Sequence, residues 1–147
     1  MGNSADAIVF FGIHFEEGAE GEWAWVEEPE KYGETWENFY ADKVHKISPP
    51  EVPWEEDEEL YSSYWDEVRR VERLSPCVIG THSSGECPMY YVALARTVES
   101  ASWDEPAELG LSSLEVSDSE LQQLKEFCEV MGLQWAEPKW YLASYWG

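Results

Sequence analysis

The spacing of apolar positions along the chain predicts a strand, a long irregular connection, a helix, a hairpin, a second helix and a final strand. Ala7-Ile8-Val9-Phe10-Phe11-Gly12-Ile13 is a short run of β-branched and aromatic residues between polar flanks, the pattern of a buried strand. From Glu55 to Leu74, Leu60, Tyr64, Val68 and Val71 recur at three- and four-residue steps, which aligns them on one face of a helix. Glu55, Glu56, Asp57, Glu58 and Glu59 crowd the start of that helix and Arg69, Arg70 and Arg73 its end, so each group complements the nearer pole of the helix dipole. Cys77 to Thr81 and Met89 to Ala95 flank the polar tip Ser83-Ser84-Gly85-Glu86, the signature of a hairpin, with Pro88 at the start of the second strand where its missing N–H does least harm. Ser117 and Glu120 form a capping box ahead of the stripe Leu121, Leu124, Cys128 and Met131, and Gly132 stands where a left-handed C-cap belongs. Trp135 to Trp146 supplies a last aromatic strand.

Two segments break the periodicity. Between His14 and Pro53, glycines and prolines punctuate a mixture of acids and aromatics, which predicts a short strand at Glu22 to Val26 and helical turns from Thr35 to His45. Glu99 to Leu114, with Pro106 and Gly110, reads as a surface loop. The whole order predicts one α+β domain over 1–147, an antiparallel sheet with two helices on one face. It matches a ferredoxin-like split βαβ arrangement carrying an acidic, aromatic-rich insertion at about 14–55, with another α+β sandwich as the fallback.

Charge changes this picture more than any motif does. Thirty-one Asp and Glu face nine Lys and Arg, a formal charge of -22, and Glu16 to Glu72 alone holds nineteen acids and five bases. A duplex carries one charge per roughly 1.7 Å, so this total matches about one turn of DNA. A compact domain of this length is roughly as wide, about 38 Å. Nine Trp, eight Tyr and five Phe separate the chain from acidic disordered tails, which lack the residues to offset chain entropy. There is no run of eighteen apolar residues, and Met1-Gly2-Asn3-Ser4-Ala5-Asp6 lacks the basic start and apolar stretch of a signal peptide, so a soluble, cytoplasmic protein with no membrane partner is expected. Cys77, Cys87 and Cys128 show no CxxC spacing, which predicts reduced, structural thiols.

Catalytic chemistry finds little to stand on. His14, His45 and His82 fall in no HExxH or HxH pattern, and neither GxSxG, GxGxxG nor GxxxxGK occurs. Cys87 with His82 on the hairpin tip, oriented by Glu86 or Asp104, could in principle form a thiolate and imidazole pair, but reactive thiols need an electropositive surround that this chain lacks. Adjacent carboxylates such as Glu16 and Glu17 or Glu58 and Glu59 lack calcium-loop spacing, so no metal or cofactor is expected. A field this negative repels nucleic acid directly.

A solvated face explains part of the acid, but solubility asks for a net charge of only about 2 to 8 in a small domain, and crowded like charges oppose folding. A basic partner supplies a cause, since complementary fields speed encounter while aromatic anchors hold the contact. The partner-binding candidates are Glu16, Glu17, Glu22, Trp23, Trp25, Glu27, Glu28, Trp54, Glu55, Glu56, Asp57, Glu58 and Glu59, with Trp36 and Tyr40 as further aromatics inside the acid.

The opening strand with its acidic, Trp-bearing sequel, the Cys87-Pro88-Met89-Tyr90 hairpin, and the close Pro138-Lys-Trp-Tyr-Leu-Ala-Ser-Tyr-Trp-Gly147 resemble small acidic proteins of unassigned function from tailed phages and prophages. No catalytic motif travels with that resemblance. It implies a setting in the host cytoplasm, where small proteins with DNA-like charge block nucleases, restriction enzymes, CRISPR effectors or nucleoid proteins. A non-enzymatic, possible DNA-mimic inhibitor of a basic, nucleic-acid-binding host protein is the expectation. The alternatives are an immunity-like protein that neutralises one toxin, a small-ligand binder or enzyme built on Cys87 and His82, and a structural virion role.

Overall fold

The computed structural model describes residues 5–84, 86–102 and 104–146. The first four residues of the stretch read for a leader, and Gly85 at the hairpin tip, lie outside that set. In chain order the elements are β1 (Ala5–His14), α1 (Ala24–Glu27), α2 (Pro29–Tyr32), α3 (Trp36–His45), α4 (Glu58–Leu74), β2 (Cys77–Ser84), β3 (Pro88–Leu94), β4 (Glu99–Ala101), α5 (Asp118–Met131) and β5 (Lys139–Trp146). The class is α+β, built on a five-stranded, mostly antiparallel sheet. Two compact units divide these elements. One holds all five strands and α5 as far as Glu129, and the other, Gly21–Ser75 with Val130–Leu133, holds α1 to α4.

In the sheet unit, β1 runs antiparallel to β5 along one edge, with Gly12 opposite Lys139. Its other edge takes β4 at Ala7 to Val9 and β3 at Gly12 to His14. The 3-10 turn Ala95–Thr97 interrupts that second partner. There the Phe11 N–H donates to Thr97 Oγ1 at 3.0 Å, and the Thr97 hydroxyl donates to the Leu94 carbonyl at 2.7 Å. A buried threonine thus satisfies the backbone group that the interruption leaves open. β2 and β3 form the expected hairpin, Cys77 opposite Leu94. The pairings β5–β1–β3–β2, each antiparallel, follow the split βαβ order.

A further pairing joins Ser83 and Ser84 to Tyr145 and Trp146, and it is parallel. Three antiparallel pairs and one parallel pair cannot close a ring of straight strands, so the hairpin end must turn. Ser83, at φ +81°, takes the left-handed backbone at that place. Close strand approach also depends on Gly12, where a Cβ would lie 1.9 Å from the Val92 carbonyl oxygen, and on Gly80, which lies under the Tyr91 ring.

Both faces of this sheet are apolar. On one, Phe10 stacks on Tyr91 with ring centres 3.9 Å apart and on Tyr141 at 5.3 Å, with Ile8, Ala93 and Ala143 around them. On the other, Ile13, Cys77, Ile79, Val92 and Leu94 are buried. α5 is placed by its own signals: Ser117 and Glu120 exchange N–H donation at 3.1 and 3.2 Å, and Gly132 follows at φ +71°. It buries Leu124, Phe127 and Cys128. Burial pushes Cys77 and Cys128 up to about 12, as expected of structural thiols. Arg96 ties the polar segment before α5 to its first turn, donating to Glu120 and to the Ser113 and Glu115 carbonyls. Within the stretch read as a loop, Glu99–Ala101 pairs with β1, and Leu111–Leu114 forms a 3-10 turn.

The second unit is helical throughout its described elements. Glu22 to Val26, expected as a strand, instead leads into the helical turn Ala24–Glu27, with Trp23 at its N-cap. Trp23 and Trp25 are both buried, and a pattern of two aromatics over five residues fits a pleat or a turn alike. Trp25 lies tilted against Trp23 at 5.0 Å and Phe39 at 5.4 Å between ring centres, and Phe39 meets Tyr32 edge-on at 5.2 Å. Ala41 on α3 packs with Tyr64, Val68 and Val71 on α4. The helix α4 starts three residues later than the acidic run suggests, because the Asp57 side chain caps it by accepting the Leu60 N–H at 3.0 Å. Leu60, expected on the buried stripe, is exposed in this first turn.

Candidate protein-binding surface

The acidic candidates fall in both units. Glu16 and Glu17 follow β1, whereas Glu22, Glu27, Glu28 and Glu55 to Glu59 belong to the helical unit, and all are exposed. Among the described residues the ion pairs are Lys31 with Asp42, Arg69 with Asp66, Arg70 with Glu67, and Arg96 with Glu120. None of these draws on a candidate acid. Four of the nine bases are therefore engaged elsewhere, and the candidate carboxylates are exposed outside these ion pairs. Asp57 has a second duty as the α4 cap, which separates it from its neighbours.

The aromatic candidates do not share that fate. Trp23 is 4% exposed, Trp25 2%, and Trp36 and Tyr40 are also buried, so all four belong to the core and none is a surface anchor. Burial of a large aromatic among helices outweighs the polarity of its sequence neighbours. Trp54 is the exception at 45% exposed. It lies against two residues absent from the sequence-based set, Trp65 at 6.1 Å between ring centres and Tyr61 at 6.5 Å. Tyr61 and Trp65 are four residues apart on α4, the spacing that brings helix side chains together. That spacing was the available signal. The cluster is surrounded in sequence by Glu51, Glu55, Glu56, Glu58 and Glu59.

Asp42 is the carboxylate of the helical unit held by two hydroxyls and an ammonium. It accepts from the Tyr32 hydroxyl at 2.6 Å and from the Ser48 hydroxyl at 3.1 Å, and the Lys31 ammonium stands 3.8 Å away. Burial alone would raise its pKa, but these hydrogen bonds and the nearby ammonium bring it below the ordinary carboxylate value. Glu37 shows the opposite balance. Burial, with Glu72 nearby, pushes it up.

The sheet unit brings together a pair that sequence spacing could not reveal. His14 on β1 and His82 on β2 meet with their Nε2 atoms 2.7 Å apart, one donating to the other. A shallow cavity of about 330 Å³ adjoins them, lined also by Ser83, Tyr141 and Ser144. Partial burial, then the His82 ring, lower the His14 pKa. The His82 ring nitrogen is thus engaged by His14, and Cys87 is exposed with its N–H donating to the Ser84 hydroxyl. Among the described residues no group of three or more His, Cys, Asp or Glu side chains is arranged to hold a metal ion. No helix among them is long and apolar enough to cross a membrane.

Comparison of the chain with models of known protein families, with curated proteins and with solved structures finds no match.

Proposed function

We propose that this protein is a non-enzymatic interaction protein whose anionic surface occupies the basic, nucleic-acid-binding face of another protein. The observation that supports it is the exposed, unpaired acid at Glu55 to Glu59 beside the exposed Trp54 and Trp65. Such an arrangement combines a long-range field, which accelerates encounter, with aromatic area, which slows release. The resemblance to small acidic phage and prophage proteins would make the partner a host protein and the effect an inhibition by DNA mimicry.

The test is displacement of a short labelled duplex from a basic DNA-binding protein, followed by mobility shift and by association kinetics. Displacement should fall steeply between about 0.1 M and 1 M salt, as the Debye length shrinks from about 10 Å to 3 Å. Glu55→Lys with Glu56→Lys should slow association by roughly threefold to tenfold. These two positions precede α4, so the change spares the Asp57 cap. Displacement that ignores salt, or none at low salt with any basic protein tried, overturns the proposal.

A further inference from the structure

The geometry points to a guanidinium-binding groove in the helical unit, where an arginine side chain of a basic partner segment enters beside Tyr61 and Trp65 and meets the Tyr64 hydroxyl. The inference rests on the proposed function and names the chemistry by which the partner is held. The groove has a volume of about 590 Å³ and is lined by Tyr61, Tyr64 and Trp65 of α4 and by Pro50, Glu30 and Glu51, among others. That size lies within the usual range of ligand clefts, about 300–1,000 Å³.

Tyr64 supplies the observation that asks for a ligand. The residue is 7% exposed, and its hydroxyl is buried with no hydrogen-bond partner among the described residues. A buried phenol left in that state opposes folding, and such groups in native structures call for a cause. Its neighbours are directed to other partners: Asp42 accepts from Tyr32 and Ser48 and faces Lys31, and the Tyr61 hydroxyl donates to the Val52 carbonyl at 2.8 Å. Burial, followed by the Asp42 charge, pushes Tyr64 up to about 12, so the phenol stays protonated, and its oxygen accepts as any hydroxyl does.

The surroundings select a cation. Glu30 and Glu51 line the groove, and Asp42 adds to the negative field felt at Tyr64. Lys31, the lining's own base, shows the chemistry in miniature, with its ammonium 5.1 Å from the Tyr32 ring centre and 3.8 Å from Asp42. The aromatic wall selects arginine over lysine. Trp65 is backed by Trp54, with ring planes 28° apart, and Tyr61 adjoins both, which suits a planar guanidinium able to stack while its several N–H groups reach Tyr64 and a carboxylate.

The probe is an arginine heptapeptide, with a lysine heptapeptide of equal charge as control, titrated calorimetrically into the intact protein at low salt. Any basic peptide will feel a charge of -22, so the informative variants leave charge unchanged. Trp65→Ala should weaken arginine-peptide binding about tenfold. Tyr64→Phe should weaken it about threefold or more while melting no lower than the wild type, since it deletes an unpaired hydroxyl. A merely structural tyrosine would leave affinity untouched. Wild-type affinity in both variants overturns the groove and leaves the anionic-surface reading standing, whereas failure of the wild type to bind either peptide overturns both. Equal affinity for the two peptides overturns the guanidinium assignment.

Discussion

The sheet unit and the helical unit carry a similar surplus of acid and treat their aromatic residues differently. The sheet unit has fifteen acids and three bases, a net -12, and the helical unit has sixteen acids and six bases, a net -10. In the first, Phe10, Tyr91 and Tyr141 come from three strands and stack across the ladder, so each ring is placed by residues far away in sequence. In the second, Trp23, Trp25, Tyr32 and Phe39 come from one short stretch and pack locally, while Trp54, Tyr61 and Trp65 form a separate exposed cluster. Acidity on this scale is therefore compatible with two kinds of core, because carboxylates stay in water while apolar burial is settled beneath them. The difference also shows where a surface function has room. The helical unit keeps a second set of aromatics outside its core.

The strongest way to break this contrast is Gly12→Ala. A Cβ there would collide with the Val92 carbonyl, and with no alternative strand spacing available the loss should exceed about 4 kcal/mol. Urea unfolding followed by circular dichroism should show the sheet lost or expression abolished. A wild-type midpoint would refute the close approach of β1 and β3.

A pair of tryptophan substitutions sharpens the division within the helical unit. Trp25→Ala, in the core, should cost about 3–5 kcal/mol, whereas Trp54→Ala should change stability by no more than about 0.5 kcal/mol. Similar costs for the two would mean that the exposed cluster is structural.

The smallest effect concerns the histidine pair of the sheet unit. The folded pKa of His14 is lowered, so below an unfolded value near 6.5 the unfolded chain binds a proton that the folded chain resists. The stability contributed by the neutral pair is whole above that value and declines as pH falls below it, until His14 is protonated in the fold as well. Thermal midpoints at pH 7.5 and 5.5 should show a drop that is absent in His14→Gln. An equal drop in the variant would assign the pH dependence to other groups.

Much of the architecture was legible in the order of residues because its signals are local. The capping box at Ser117 and Glu120, Gly132 after α5, the alternation in the hairpin and the apolar run of β1 each act within a few residues. Tyr64, Val68 and Val71 are buried as their spacing predicts, while Leu60 is not, because the cap at Asp57 places it in an exposed first turn. The acidic candidate site was legible only as charge. Its aromatics stand out in the sequence only by lying within the acid, and four of the five, Trp23, Trp25, Trp36 and Tyr40, are in the core.

By itself the sequence determined the class of fold, the β2–β3 hairpin and the net charge, since turn chemistry, apolar period and ionisable composition are written in neighbouring residues. Only the tertiary structure decided which tryptophans face water, that the Tyr64 hydroxyl is left without a partner among the described residues, and that His14 meets His82 across 68 positions. Those outcomes depend on which surfaces are brought together. Burial of a side chain is a property of its neighbours in space, and a long-range neighbour leaves no mark on the local pattern.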